Sequence, residues 1–273
     1  MVTAVPLDLN GGSGFSIPLG GSLYPPPPHH FRGAQRGVAT YAADADAVAS
    51  LLPPGVVADS DPPICQAWVC WYPWSTYGAF HEAYIFVGVV LDGTRYWYQP
   101  VIFTDSVPPL AAGREIWGFA KKLAHMHWHY EDEQLLFTVE RPLGKRIMTF
   151  TLSVDRLADP TELEPRPGLS LRYLPPSDPE RPPAAAELVC LRATRKLHDT
   201  AGLGPDLWAG RASVTMDSPS EVDPWHLFAP RGPIHSGFVQ TMDFSLPLGA
   251  VVKDYVAEGL AVAPRVLEGS GAG

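Results

Sequence analysis

A mainly antiparallel β fold, closed into a barrel and carrying a few short helices, is what this chain predicts, on three observations. Thirty prolines and 25 glycines among 273 residues interrupt long helices and supply many turns. Runs of strand length, rich in β-branched and aromatic residues, recur along most of the chain. Asp92-Gly93, between two such runs, is a pair that tolerates the positive φ of a type I′ hairpin turn.

Taken in order, residues 1–30 read as an irregular Pro-rich arm, ending in Pro25-Pro26-Pro27-Pro28-His29-His30 with a polyproline II segment. Residues 31–264 read as a single domain, since 46% hydrophobic residues can fill one large core. Residues 265–273 read as a disordered tail. Expected strands cover residues 37–41, 64–72, 79–91 and 94–103, then 123–130, 134–140, 146–154, 169–173, 186–197, 208–215 and 237–247. Glu131-Asp132-Glu133 and Gly144-Lys145 mark further hairpin ends. Asp44 is expected to cap a helix over 45–52 that Pro53 stops. Ser218, with Glu221 three residues on, predicts a capping box and a helix over 219–228. A third helix is expected over 106–116.

Composition excludes several function classes. A formal charge of −9 argues against a nucleic-acid partner, which needs a basic face. No apolar run is long enough to span a bilayer, so no membrane partner is expected. Residues 1–21 show neither a basic start nor a continuous apolar stretch, and do not read as a signal peptide. Cys65, Cys70 and Cys190 form an odd set without metal spacing, and read as reduced thiols of a cytoplasmic protein. No Gly-rich phosphate loop and no Gly-x-Ser-x-Gly elbow occur. His125, His127 and His129 alternate on one strand face, but no partner stands at metal-site spacing, so no metal is assigned.

The chemistry points to lysine. Only Lys121, Lys122, Lys145, Lys196 and Lys253 occur, and the first two are adjacent, behind Trp117 and Phe119. An amine set among apolar groups is a candidate for losing its proton and attacking a carbonyl. The plainer alternative is a snorkelling pair with solvated heads. On a strand the two side chains point to opposite faces. Charges about 6 Å apart at an effective dielectric of 20 repel by roughly 2.8 kcal/mol. Full burial acts more strongly than that, so desolvation by Trp117 and Phe119 should free the amine.

Gly113-Arg114-Glu115, then an aromatic, then Lys121-Lys122-Leu123 resembles the signature of the acetoacetate decarboxylase family. Phe80-His81-Glu82 resembles its aromatic-x-Glu segment, and Thr40 to Asp44 with Leu51-Leu52-Pro53 its N-terminal segment. Asp223-Pro224, Gly237 and Asp254-Tyr255-Val256 resemble its closing segment, so the likeness runs from about Phe31 to Val256. It implies a cone-like β-barrel assembled into homo-oligomers, with no cofactor. By the same resemblance Lys121 forms the imine, Lys122 assists it and Glu82 is the active-site carboxylate. Arg114 and Glu115 are expected to form an ion pair that supports the lysine segment.

Three positions depart from the family pattern. Ala120 replaces the proline before the lysines. The arginine expected to hold the substrate carboxylate falls at Ala34, with Arg32 and Arg36 on either side as substitutes. Ala67 replaces an acidic residue in a stretch carrying Trp68, Trp71 and Trp74. Arg32, Arg36, Trp117 and Phe119 are therefore the expected substrate-binding residues, in a pocket larger and more apolar than acetoacetate requires. The expected activity is decarboxylation of a bulkier β-keto acid through a lysine imine and enamine. One alternative is an imine-forming aldolase-dehydratase or cyclase acting on pyruvate or a related keto acid. Another is a barrel that only binds a keto metabolite.

Overall fold

The computed structural model describes residues 7–199, 202 and 204–260. The first half contains β1 (His29–Ala42), β2 (Val57–Ala58), β3 (Ile64–Tyr72), β4 (Trp74–Ser75), β5 (Phe80–Leu91), β6 (Thr94–Thr104), β7 (Lys121–Leu123) and β8 (His125–Glu131). The second half adds β9 (Gln134–Glu140), β10 (Arg146–Leu157), β11 (Gly168–Leu174), β12 (Ala185–Leu191), β13 (Thr194–Leu197), β14 (Leu207–Met216), β15 (Ser236–Leu246) and β16 (Ala250–Asp254). All belong to one sheet, whose main path runs β16-β12-β11-β6-β5-β3-β1-β15-β14-β10-β9-β8.

Two features differ from expectation. The sheet is mixed, because β6 pairs in parallel with both β7 and β11. The segment from β6 to β7 is a crossover through α2 (Val107–Ala112), and a connection of that length returns the chain in the same direction. Second, the path ends at β16 and β8 without a closing pair among the described residues. The pairing seen is that of an open sheet, not of a closed barrel.

Local signals mostly act as expected. Asp92 and Gly93 adopt φ of 48° and 75°, joining β5 to β6, and Asp132 at 50° turns β8 into β9. The β5–β6 pair carries a bulge between Ile85 and Val87. Pro100, which has no N–H to donate, lies opposite it. Asp44 caps α1 (Ala45–Ala49) by accepting from the Ala47 amide at 2.9 Å. The helix predicted from Ser218 does not form. Pro224 cannot donate inside a helix, and only a 3-10 turn over Pro224–Phe228 remains. The run over 186–197 is broken between β12 and β13, at Arg192 and Ala193. The N-terminal arm is shorter than expected, because β1 begins at His29 and Tyr24 is buried against Trp117. The tail over 265–273 lies outside the described residues.

The central strands are buried on both faces, and alternation sorts their side chains. Ala39 and Tyr41, Cys65 to Val69 at alternate positions, and Ala83 to Val89 at alternate positions enter one core cluster. Ala34, Val38, Trp68, Cys70, Tyr72, Phe80 and Tyr84 enter the other. Arg36 and Glu82 lie in phase with this second set, so β1 and β5 aim both at the same interior face. Cys65 and Cys70 are buried free thiols, and burial pushes Cys65 up to about 12. No helix among the described residues is long and apolar enough to cross a membrane.

Candidate active site

The short strand β7 decides which way each lysine faces. Its parallel register pairs Lys121 with Ile102 and Lys122 with Phe103. Ile102 belongs to the pocket-side cluster and Phe103 to the opposite one, so the two amines leave the strand on different faces.

The segment before β7 is shaped by two glycines. After α2 the chain forms a single π-helical turn over Gly113–Trp117, ended by Gly118 at φ 75°. The Phe119 amide donates back to the Gly113 carbonyl at 2.9 Å, closing the turn. Ser170 Oγ donates to the Trp117 carbonyl at 2.6 Å, and Arg172 Nε to the Glu115 carbonyl at 2.7 Å, tying the turn to β11. Gly113 has an ordinary helical φ of −61° but cannot carry a side chain freely. A β-carbon there meets Lys121 Cε at 2.7 Å and Cδ at 2.8 Å. The lysine stem passes directly over this glycine. Gly113→Ala is therefore expected to leave the fold intact and swing the Lys121 amine aside. We expect thermal stability to change by less than about 1 kcal/mol. Reductive trapping of a keto acid should slow by at least about 100-fold, as for a misplaced reacting group. Unchanged trapping in a folded variant would remove this role of Gly113.

Lys121 is buried, at 5% exposure, and its Nζ donates to Glu82 Oε1. Glu82 Oε2 accepts a second hydrogen bond from Tyr72 Oη at 3.3 Å. Burial holds the Tyr72 phenol well above its ordinary value, so it stays a neutral donor. The amine also lies over the rings of Phe119 and Phe80, 5.7 and 5.9 Å from their centroids. Lys121, Glu82, Tyr72 and Phe119 line a cavity of about 100 Å³. A single water needs roughly 10–15 Å³ on that scale, so there is room for a small organic acid. Trp117, Phe119, Trp68 and Phe244 form much of its wall. Trp117 is held by donation from Nε1 to the Pro247 carbonyl at 2.9 Å. Tyr77 completes the wall, bonded to His29 Nδ1 while His29 Nε2 meets the Pro25 carbonyl at 2.7 Å. Burial lowers His29 from its ordinary value, so it is neutral at pH 7.

The expected site residues separate into two groups. Lys121, Glu82, Arg36, Trp117 and Phe119 come together around this cavity. Lys122 does not. Its ammonium pairs with Asp223 Oδ1 at 2.9 Å, beside Arg141, which takes Asp223 Oδ2 at 3.0 Å. With its charge balanced there, Lys122 pins β7 to the 3-10 turn rather than reaching the cavity. Arg32 is also absent from the cavity. Its side chain is 63% exposed and pairs with Asp243 at 2.9 Å, because the bulge between Phe31 and Ala34 carries it outward. Arg114 and Glu115 do not pair with each other. Arg114 donates to the Lys121 carbonyl at 3.2 Å, while Glu115 accepts from Tyr24 Oη, so each supports the lysine segment separately. His125, His127 and His129 lie on the exposed face of β8.

Arg36 is the unusual member. It is buried, yet no carboxylate contacts it among the described residues. Nη2 donates to Tyr84 Oη at 2.7 Å, Nη1 to Met242 Sδ at 3.4 Å, and Nε has no partner. The guanidinium stacks between Trp68 and Phe244, 4.9 Å from each centroid. Two more arginines reach the cavity that the motif reading missed, Arg166 and Arg195. Arg166 is matched by Asp59 at 2.6 Å and Glu164 at 2.8 Å. No motif flags Arg195, because it enters the site only through the pairing of β13 with β15.

A sequence model described as acetoacetate decarboxylase (ADC) matches residues 16–256. Acetoacetate decarboxylase 1 of Mesorhizobium japonicum is 30% identical, over 90% of this chain and 97% of its own length. The acetoacetate decarboxylase of Chromobacterium violaceum is 29% identical, over 89% and 96%. Among solved structures, acetoacetate decarboxylase from Legionella pneumophila superposes with a TM-score of 0.76 at 26% identity, covering 86% of this chain and 91% of that one. The enduracididine biosynthesis enzyme MppR superposes with a TM-score of 0.72 at 20% identity, over 86% and 91%, a likeness of fold alone. With the motif glycine seated under a buried lysine and the match spanning nearly the whole chain, this protein belongs to the acetoacetate decarboxylase family.

Proposed function

We propose that the chain is a Schiff-base-forming lyase that decarboxylates a β-keto acid bulkier than acetoacetate, with Lys121 as the nucleophile. The observation that carries this reading is the buried Lys121 amine, in contact with one carboxylate inside a ligand-sized cavity. Proton transfer from Lys121 to Glu82 frees the nitrogen lone pair, which adds to the ketone carbon. Glu82 returns that proton to the departing hydroxyl, and water leaves as the iminium forms. The bond to the β-carboxylate then breaks, its electrons pass to the iminium nitrogen, and carbon dioxide departs. Glu82, reprotonated from water, then protonates the enamine carbon, and water hydrolyses the product imine. Tyr72 steadies Glu82 through both exchanges. Extension of the cavity past Trp68 and Phe86 to Trp97 and Leu163 supports a substrate with a longer body.

The test is borohydride reduction in the presence of β-keto acids, peptide mapping of the adduct, and carbon dioxide release from the same panel. An adduct on Lys121 with gas release supports the reading; an adduct elsewhere, or none, removes it. A second reading also uses Arg36, a cavity-lining cation without a carboxylate partner among the described residues, to hold a keto acid whose carboxylate is retained. There the enamine of pyruvate or a related keto acid attacks an aldehyde. A Lys121 adduct without gas, with product formed only when aldehyde is added, would select it.

A further inference from the structure

Arg195 is a cation without an assigned task. In β13 it stands directly opposite Phe244 of β15, so the two side chains share a face. Arg36 covers the ring of that same Phe244, 4.9 Å from its centroid. Two guanidinium groups therefore reach one aromatic wall of the cavity, and neither meets a carboxylate among the described residues. Acids are not scarce, with 29 acidic against 20 basic residues, and Arg166 in the same cavity has two. Glu82 is already engaged by Lys121.

The two free cations differ in what they can offer. Arg36 is committed to Tyr84 and Met242, with Nε enclosed, so it acts on a ligand mainly through its charge. Arg195 makes no side-chain hydrogen bond among the described residues, is an exposed residue of β13, and lines the cavity. Protein packed around it and the nearby Arg36 both lower its guanidinium from the ordinary value, but an arginine stays charged at neutral pH. Its planar fork is free to take a carboxylate by two parallel bonds. A carboxylate held that way is held as an anion and is not the one that leaves.

We propose that Arg195 grips a retained carboxylate, so that the substrate is a keto diacid: one carboxylate departs at Lys121 and the other stays at the mouth. This rests on the imine reading for its chemistry but not for its binding. The probes are 3-oxopentanedioate and 3-oxohexanedioate against acetoacetate, each titrated for half-maximal reductive trapping on wild type, Arg195→Gln and Arg195→Lys. Arg195→Gln is expected to raise the half-maximal concentration for the diacids by roughly 10- to 100-fold and leave acetoacetate within about twofold. Arg195→Lys should recover part of the loss, because it restores charge without the fork. A parallel arm measures calorimetric binding of glutarate against butyrate, neither of which can form an imine. Glutarate binding that Arg195→Gln abolishes supports the diacid site even if no keto acid is trapped, in which case only the imine reading falls. Trapping on Lys121 with no wild-type preference for diacids, or an equal shift for diacid and monoacid, overturns the proposal. So does failure of every diacid to bind.

Discussion

Lys121→Met is expected to abolish reductive trapping and lower turnover on the order of 10⁴- to 10⁶-fold, as loss of a covalent nucleophile does. No other amine reaches the cavity among the described residues, and Arg36, though a cation, cannot form an imine. The substitution also leaves Glu82 buried beside Tyr72 without its cation. Breaking a buried pair by removing one partner costs about 3–5 kcal/mol, so the variant should also unfold at lower denaturant. Lys122→Met is the contrast. Its partner Asp223 keeps Arg141, and the lost pair is partly solvated, so stability should fall by only about 0–1 kcal/mol. Trapping should persist. The measurements are adduct mass after reduction, carbon dioxide release and denaturant midpoints. Persistent trapping in Lys121→Met, or equal loss in both variants, would show that the wrong amine has been assigned.

Gly118→Ala is expected to be strongly destabilising, at ~4 kcal/mol or more. Two effects combine there. At φ 75° any side chain is strained, and a β-carbon falls into the backbone of Arg172, closer than the 3.0 Å that real contacts respect. Backbone in a paired strand cannot step aside as a side-chain tip can. Gly93→Ala isolates the first effect, since Gly93 has the same φ of 75° with nothing within 4 Å. It should cost only about 1 kcal/mol. Denaturant unfolding of both variants tests the difference, and equal midpoints would show that contact with Arg172 is unimportant. Because Gly118 leads through Phe119 to Lys121, any folded Gly118→Ala should also trap keto acids poorly.

Much of the fold was legible because its signals are local. Asp92-Gly93 made its hairpin, Asp44 capped its helix, and the run at 64–72 became β3 without adjustment. Ser218 and Glu221 misled because Pro224, inside the same window, removes a helical donor. Period-two alternation also held at the lysines, which is why adjacency gave no contact between their amines. Arg32 and Arg36 stand two residues either side of Ala34, and nothing in the local sequence separates them. A bulge at Phe31 to Ala34 then carried one to solvent and left the other in the cavity.

Family and β-rich class were thus determined by sequence alone, and the same motifs singled out Lys121 and Glu82, since each depends on a contiguous motif or a short-range period. Only the tertiary structure decided what surrounds the amine. The parallel register of β7 on β6 turned Lys121 inward, and Glu82 came to it from β5, on the other side of β6. The β13–β15 pairing brought up Arg195 from far along the chain. Strand register is a long-range property, set by the packing of whole faces, and no window of neighbouring residues contains it.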